Sequence, residues 1–136
     1  MCYDTAQLAY RIYREALRLN VSSDEIAHLK EKWEKLKEGE INYYHVSGYS
    51  HPKLAAFVQK DEAININLYS WGLIPSWVKD EEQAHQIRNK TINARGETIF
   101  EKPSFREASK NGRCIIPVDG FYEHHHKGGK SFPYFI

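Results

Sequence analysis

Ile64-Asn65-Ile66-Asn67-Leu68-Tyr69 alternates apolar and polar side chains before running into Ser70-Trp71. Successive strand residues point to opposite faces, so the stretch predicts a half-buried β-strand covered on its Ile64, Ile66 and Leu68 side. Pro75 breaks the pattern, and Asp80 to Asn89 predicts a short helix. Ser104 with Glu107 has capping-box spacing ahead of a helix stopped at Asn111-Gly112. Arg113-Cys114-Ile115-Ile116 and Phe132 to Ile136 read as strands, joined by a turn at Lys127-Gly128-Gly129-Lys130. Strands with inserted helices and no βαβ rhythm predict an α+β fold around a mainly antiparallel sheet.

Upstream, Leu8, Ile12, Ala16 and Leu19 recur at helical steps, giving one apolar stripe that ends near Asn20. Ser22 with Glu25 has a second capping-box spacing, followed by Ile26, Leu29, Trp33 and Leu36 on one face, and Gly39 closes this helix. The first forty residues are thus expected to form a helical hairpin that covers part of the sheet and carries no chemistry. The chain closes on Pro133-Tyr134-Phe135-Ile136, which reads as the inside of a strand and predicts a domain incomplete at its C-terminus.

With 136 residues, 41% hydrophobic and 27% charged, the chain fits a single domain with a true core and not two. No stretch of about eighteen apolar residues is present to span a membrane, and MCYDTAQLAYR lacks the apolar core of a signal peptide. A soluble, intracellular protein is expected. The formal charge is +1, yet residues 86–113 hold seven basic side chains against three acidic ones. That local excess reads either as the border of a phosphate-binding surface or as an ordinary solvated face. Two cysteines without CxxC spacing exclude a disulfide framework and a cysteine zinc site.

Cys2 follows the initiator Met1. Removal of Met1, which a small second side chain permits, would leave a terminal 1,2-aminothiol. Reference pKa values near 8 for the amine and about 8.5 for the thiol keep both partly nucleophilic at neutral pH. Such a pair condenses with an aldehyde to an imine and closes through sulfur to a thiazolidine. The alternative is a terminal cysteine with no role. Cys114, inside an apolar stretch, reads as buried and inert. Trp71, Pro75 and Trp77 offer flat surfaces to unstacked bases, with core packing as the competing reading and the preferred one for Trp77. His124, His125 and His126 alternate faces on a strand and cannot all ligate one ion, so a solvated strand end is expected and no metal.

Trp71-Gly72-Leu73-Ile74-Pro75-Ser76-Trp77, Asn93-Ala94-Arg95-Gly96-Glu97-Thr98 and Arg113-Cys114-Ile115-Ile116-Pro117-Val118-Asp119-Gly120-Phe121-Tyr122-Glu123 occur in this order, with Met1-Cys2 before and Pro133-Tyr134 after. Together they resemble the SRAP family of SOS response-associated peptidase-like proteins. The resemblance covers residues 1–3 and about 43–136; the helical segment 5–40 stands outside it as an insertion within a single domain, 1–136.

The resemblance implies a barrel-like antiparallel core with peripheral helices. It also implies a protein that recognises abasic sites in single-stranded DNA and links them covalently to Cys2, with peptidase and lyase activities and no cofactor. Asn93 matches the family's active-site Asn, set against a turn-stabilising role, and Glu123 matches its catalytic carboxylate, a proton shuttle beside the amine. Arg95 fits a phosphate clamp, set against a pairing with Glu97. Trp71, Pro75 and Arg113 complete the expected DNA contacts. A monomer in the cytoplasm, on the nucleoid when DNA-bound, is expected. The family's further strands, with another active-site His, are not in the sequence. Tyr3-Asp4 stands where relatives carry Gly-Arg, and His124 where they carry Trp; the lost Arg removes one DNA contact, and Asp4 repels phosphate. A Cys-dependent peptidase and an impaired fragment serving as a DNA-binding module are the alternatives.

Overall fold

The alternating stretch is one arm of a hairpin in the computed structural model, which describes residues 3–19, 22–24, 26–28, 31, 42–61 and 63–136. Strands β3 (Lys53–Lys60) and β4 (Ala63–Ser70) pair antiparallel from Lys53↔Ser70 to Lys60↔Ala63. In β3, Leu54, Ala55, Ala56 and Phe57 are all buried. A strand covered on both sides has no alternation to read, which is why β3 left no trace in the pattern analysis.

Helix α1 (Ala9–Arg18) lays Ile12 and Ala16 against Ala55, Phe57 and Ile66, with Ile26, Ile64 and Leu68 at the border. This is the core, and burying Ile12 contributes about 1.5–3 kcal/mol. Residues 23–24, 26–28 and 31 are helical as well. Glu25, Leu29, Trp33, Leu36 and Gly39 of the expected second helix lie outside the described residues.

The second sheet has the order β2 (Tyr43–Ser47), β1 (Asp4–Gln7), β5 (Gly120–Lys127), β6 (Lys130–Phe135), antiparallel throughout. The chain is therefore mixed helix and strand, with an antiparallel sheet curled into a half-barrel. Residues 5–7, expected to be helical, are the centre of that sheet. The β5–β6 turn falls at Gly128-Gly129, with φ of +57° and +73°. Both glycines supply the left-handed backbone that a two-residue hairpin loop needs.

Gln7 joins the two sheets. Its side chain is fully buried, its Nε2 donates to the carbonyls of Ala55 (3.0 Å) and Pro117 (2.8 Å), and its Oε1 accepts from Ala55 N–H (2.8 Å). Two residues along, Phe57 exchanges backbone hydrogen bonds with Ile115. One amide and one backbone bridge thus close the outer edge of β3, which would otherwise bury unpaired polar groups. Residues 113–116, expected as a strand, make a single bridge among the described residues, at Ile115. Asp119 accepts from Leu8 N–H through Oδ2 (2.7 Å), filling the start of α1 from a distant loop.

Helix α2 (Glu81–Arg88) begins as its sequence predicts, with Asp80 accepting from Gln83 N–H at 2.7 Å. The Ser104–Glu107 cap does not form. Glu107 instead accepts a hydrogen bond from Ser76, and α3 is a single turn, Ala108–Asn111, ending at Gly112 as expected.

Candidate functional site

Met1 and Cys2 lie outside the described residues, and the site is built from what flanks them. The Tyr3 carbonyl accepts from Gly48 N–H at 2.7 Å, and the Tyr3 ring stacks on Tyr49 at 5.5 Å. A Cβ at Gly48 would lie 2.7 Å from Ile92 Cγ2 and 3.1 Å from the Trp71 ring. The indole N–H of Trp71 in turn donates to the Ile92 carbonyl at 2.8 Å. Glycine at 48 therefore lets the loop carrying Ile92 and Asn93 close on the start of β1. Gly48→Ala is expected to cost about 1–3 kcal/mol through overpacking, read as a lowered urea midpoint; an unchanged midpoint would contradict the close approach.

Glu123 reaches the same place from the other side. Strand β5 pairs with β1 through Asp4↔Tyr122, Thr5↔Phe121 and Ala6↔Gly120, and Glu123 is the next residue of β5 beyond that ladder. Both Asn93 and Glu123 are half-buried. The segments holding them thus converge on the end of β1 that adjoins Tyr3.

Asn93 lines a cleft of about 400 Å³ with Lys90, Arg95 and Lys102, and no carboxylate among the described residues borders it. Arg95 is exposed and makes no ion pair with Glu97 among the described residues. Arg113 is exposed too but borders a separate cleft beside Phe57, Ile64 and Cys114, so it is not part of the Asn93 cleft.

Pro75 is buried, as the packing reading has it, at the floor of a cleft with Ser104 and Glu107. Two expectations about side chains change. Trp77, expected in the core, is 46% exposed, with its indole N–H 3.4 Å from the Pro103 carbonyl. Cys114, expected buried, is exposed, because 113–116 lies at the surface and not inside a sheet; partial desolvation still pushes its thiol above the ordinary range, leaving it a weak nucleophile. Trp71 is half-buried, one side against Gly48.

Two supports were invisible to sequence reasoning. His51, at φ +50°, donates from Nδ1 to the Trp71 carbonyl at 2.8 Å, with Nε2 3.0 Å from Asn89 Oδ1. Thr91, buried, donates to the Leu73 carbonyl at 2.6 Å and fixes the loop just before Asn93. No local spacing announces either one, since the partners are 18 and 20 residues away.

The fold is an α+β half-barrel, and comparison with known proteins gives it a family. Residues 8–136 match SOS response associated peptidase (SRAP), and the chain belongs to that family. The match takes in most of the helical segment that the motifs left aside. Abasic site processing protein YoqW of Bacillus subtilis is 60% identical over 53 residues, 39% of this chain and 22% of that protein. Abasic site processing protein HMCES of Xenopus tropicalis is 30% identical over 116 residues, 77% of this chain and 34% of that protein. A crystal structure of a protein from Bacteroides thetaiotaomicron aligns with a TM-score of 0.77 at 35% identity, covering 98% of this chain and 53% of that one. The chain thus spans about half the length of the solved relative and a smaller share of the curated ones. Among the described residues, no helix is long and apolar enough to cross a membrane.

Proposed function

We propose that this chain processes abasic sites in single-stranded DNA by linking them covalently to Cys2. The observation that carries this reading is the convergence of the Asn93 and Glu123 segments on the end of β1 next to the N-terminal residues. The names of the relatives, abasic site processing proteins, point the same way.

The chemistry follows from the residue types. Once Met1 is removed by hydrolysis, the Cys2 amine adds to the aldehyde of the open-chain abasic sugar. Loss of one water gives the imine. The thiol then adds across the C=N bond, its sulfur to carbon and its proton to nitrogen, closing the thiazolidine. Glu123 accepts and returns the protons of these steps, and Asn93, donor and acceptor without charge, orients the sugar. Lys90, Arg95 and Lys102 hold the adjoining phosphates around the 400 Å³ cleft. Arg113 extends the basic surface, and the open side of Trp71 receives a base.

The test is a denaturing gel of protein mixed with a single-stranded oligonucleotide carrying one abasic site. A heat-stable, retarded band is expected with that oligonucleotide and none with an undamaged one. No band with either, from protein whose mass shows Met1 removed, would overturn the reading.

A further inference from the structure

We propose that Asp4, His45 and His124 form a proton-gated contact for DNA phosphate beside the N-terminal residues. This rests on the reading that DNA is engaged at that end of β1. The Asp4 carboxylate lies between two imidazoles on the flanking strands. Its Oδ1 is 3.6 Å from His45 Nε2 on β2, and its Oδ2 is 3.5 Å from His124 Nε2 on β5. Asp4 is sheltered, its side chain 17% exposed, whereas His45 and His124 are 59% and 42% exposed. An arriving anion therefore meets the histidines first.

Strand register makes the cluster. Asp4 pairs with Ser47 on one side and Tyr122 on the other, and His45 and His124 are two residues from those partners, so all share one face. Thr5 and Gln7, on the opposite face, point into the core. Tyr122 stands edge-on to His45 at 4.9 Å and donates to the Tyr44 carbonyl. Ser131 Oγ lies 3.0 Å from His124 Nδ1, and His126 sits opposite Ser131 on β5. With the serine hydroxyl donating to Nδ1, the Nε2–H of neutral His124 points at Asp4.

Histidine changes charge between about pH 5 and pH 8. Protonating both imidazoles adds two positive charges beside Asp4, and each is worth about two- to fivefold in affinity at such an exposed site.

The test measures non-covalent affinity for an undamaged single-stranded oligonucleotide by fluorescence anisotropy, at fixed ionic strength, from about pH 8 to about pH 5.5. The wild-type protein is expected to tighten over that range by about tenfold more than the His45→Gln/His124→Gln double variant. Asp4→Asn is expected to bind about two- to fivefold tighter than wild type at the alkaline end, because it removes one negative charge. His85→Gln, on helix α2, should keep the wild-type slope. Equal slopes for wild type and double variant would overturn the proposal. If DNA is bound at no pH and no abasic-site adduct forms, the parent reading falls with it; if adducts form but the slopes coincide, only the proton gate is lost.

Discussion

Gln7→Leu is expected to destabilise the folded chain by about 3–9 kcal/mol, a large share of its total stability. Leucine has nearly the same volume, so packing is preserved and the loss is polar. Three hydrogen bonds disappear together, at 3.0, 2.8 and 2.8 Å. They leave Ala55 N–H, Ala55 C=O and Pro117 C=O buried without partners, at about 1–3 kcal/mol each. A domain is stable by only about 5–15 kcal/mol in total. The same change at exposed Gln86 should stay within about 0.5 kcal/mol. Urea unfolding of both variants checks this, and a wild-type midpoint for Gln7→Leu would mean that the two sheets are not joined through this amide.

Cys2→Ala is expected to abolish the heat-stable adduct with abasic-site DNA while leaving non-covalent affinity close to wild type. Alanine retains the terminal amine and still permits removal of Met1, so the imine can form. Without sulfur it cannot close the ring, and it hydrolyses back. Borohydride, which reduces an imine to a stable amine, should therefore restore a linked band for Cys2→Ala. Adduct yields equal to wild type without borohydride would remove the thiol from the mechanism.

What could be read from the sequence was local. The β4 alternation, the short helix between Asp80 and Asn89 and the Gly128-Gly129 turn each depend on neighbours within a few residues, and each stands as expected. Strand β1 was hidden because four residues, two of them uncharged polar, carry no period of their own; their burial comes from partners as far off as Pro117 and Gly120. Residues 113–116 have the composition of a strand but find one bridging partner, so composition overstated them.

The candidate site divides in the same way. The motifs named Asn93 and Glu123, and the fold draws their segments to one end of β1. Sequence spacing had no means of finding His51, Thr91 or the Asp4–His45–His124 cluster, all products of tertiary pairing. Two departures from the family's pattern, Asp4 and His124, turn out to face each other at 3.5 Å. Pro75 is buried because a rigid ring suited to stacking is equally suited to packing inward.

The central claim is that the chain's own terminal aminothiol captures an abasic site. Peptide mapping by mass spectrometry of the protein–DNA adduct, after nuclease digestion, tests it most directly. The account predicts a peptide that begins at Cys2, lacks Met1 and carries the remnant of the abasic sugar. An adduct on Lys90, Lys102 or another internal lysine, with Met1 still in place, would contradict it.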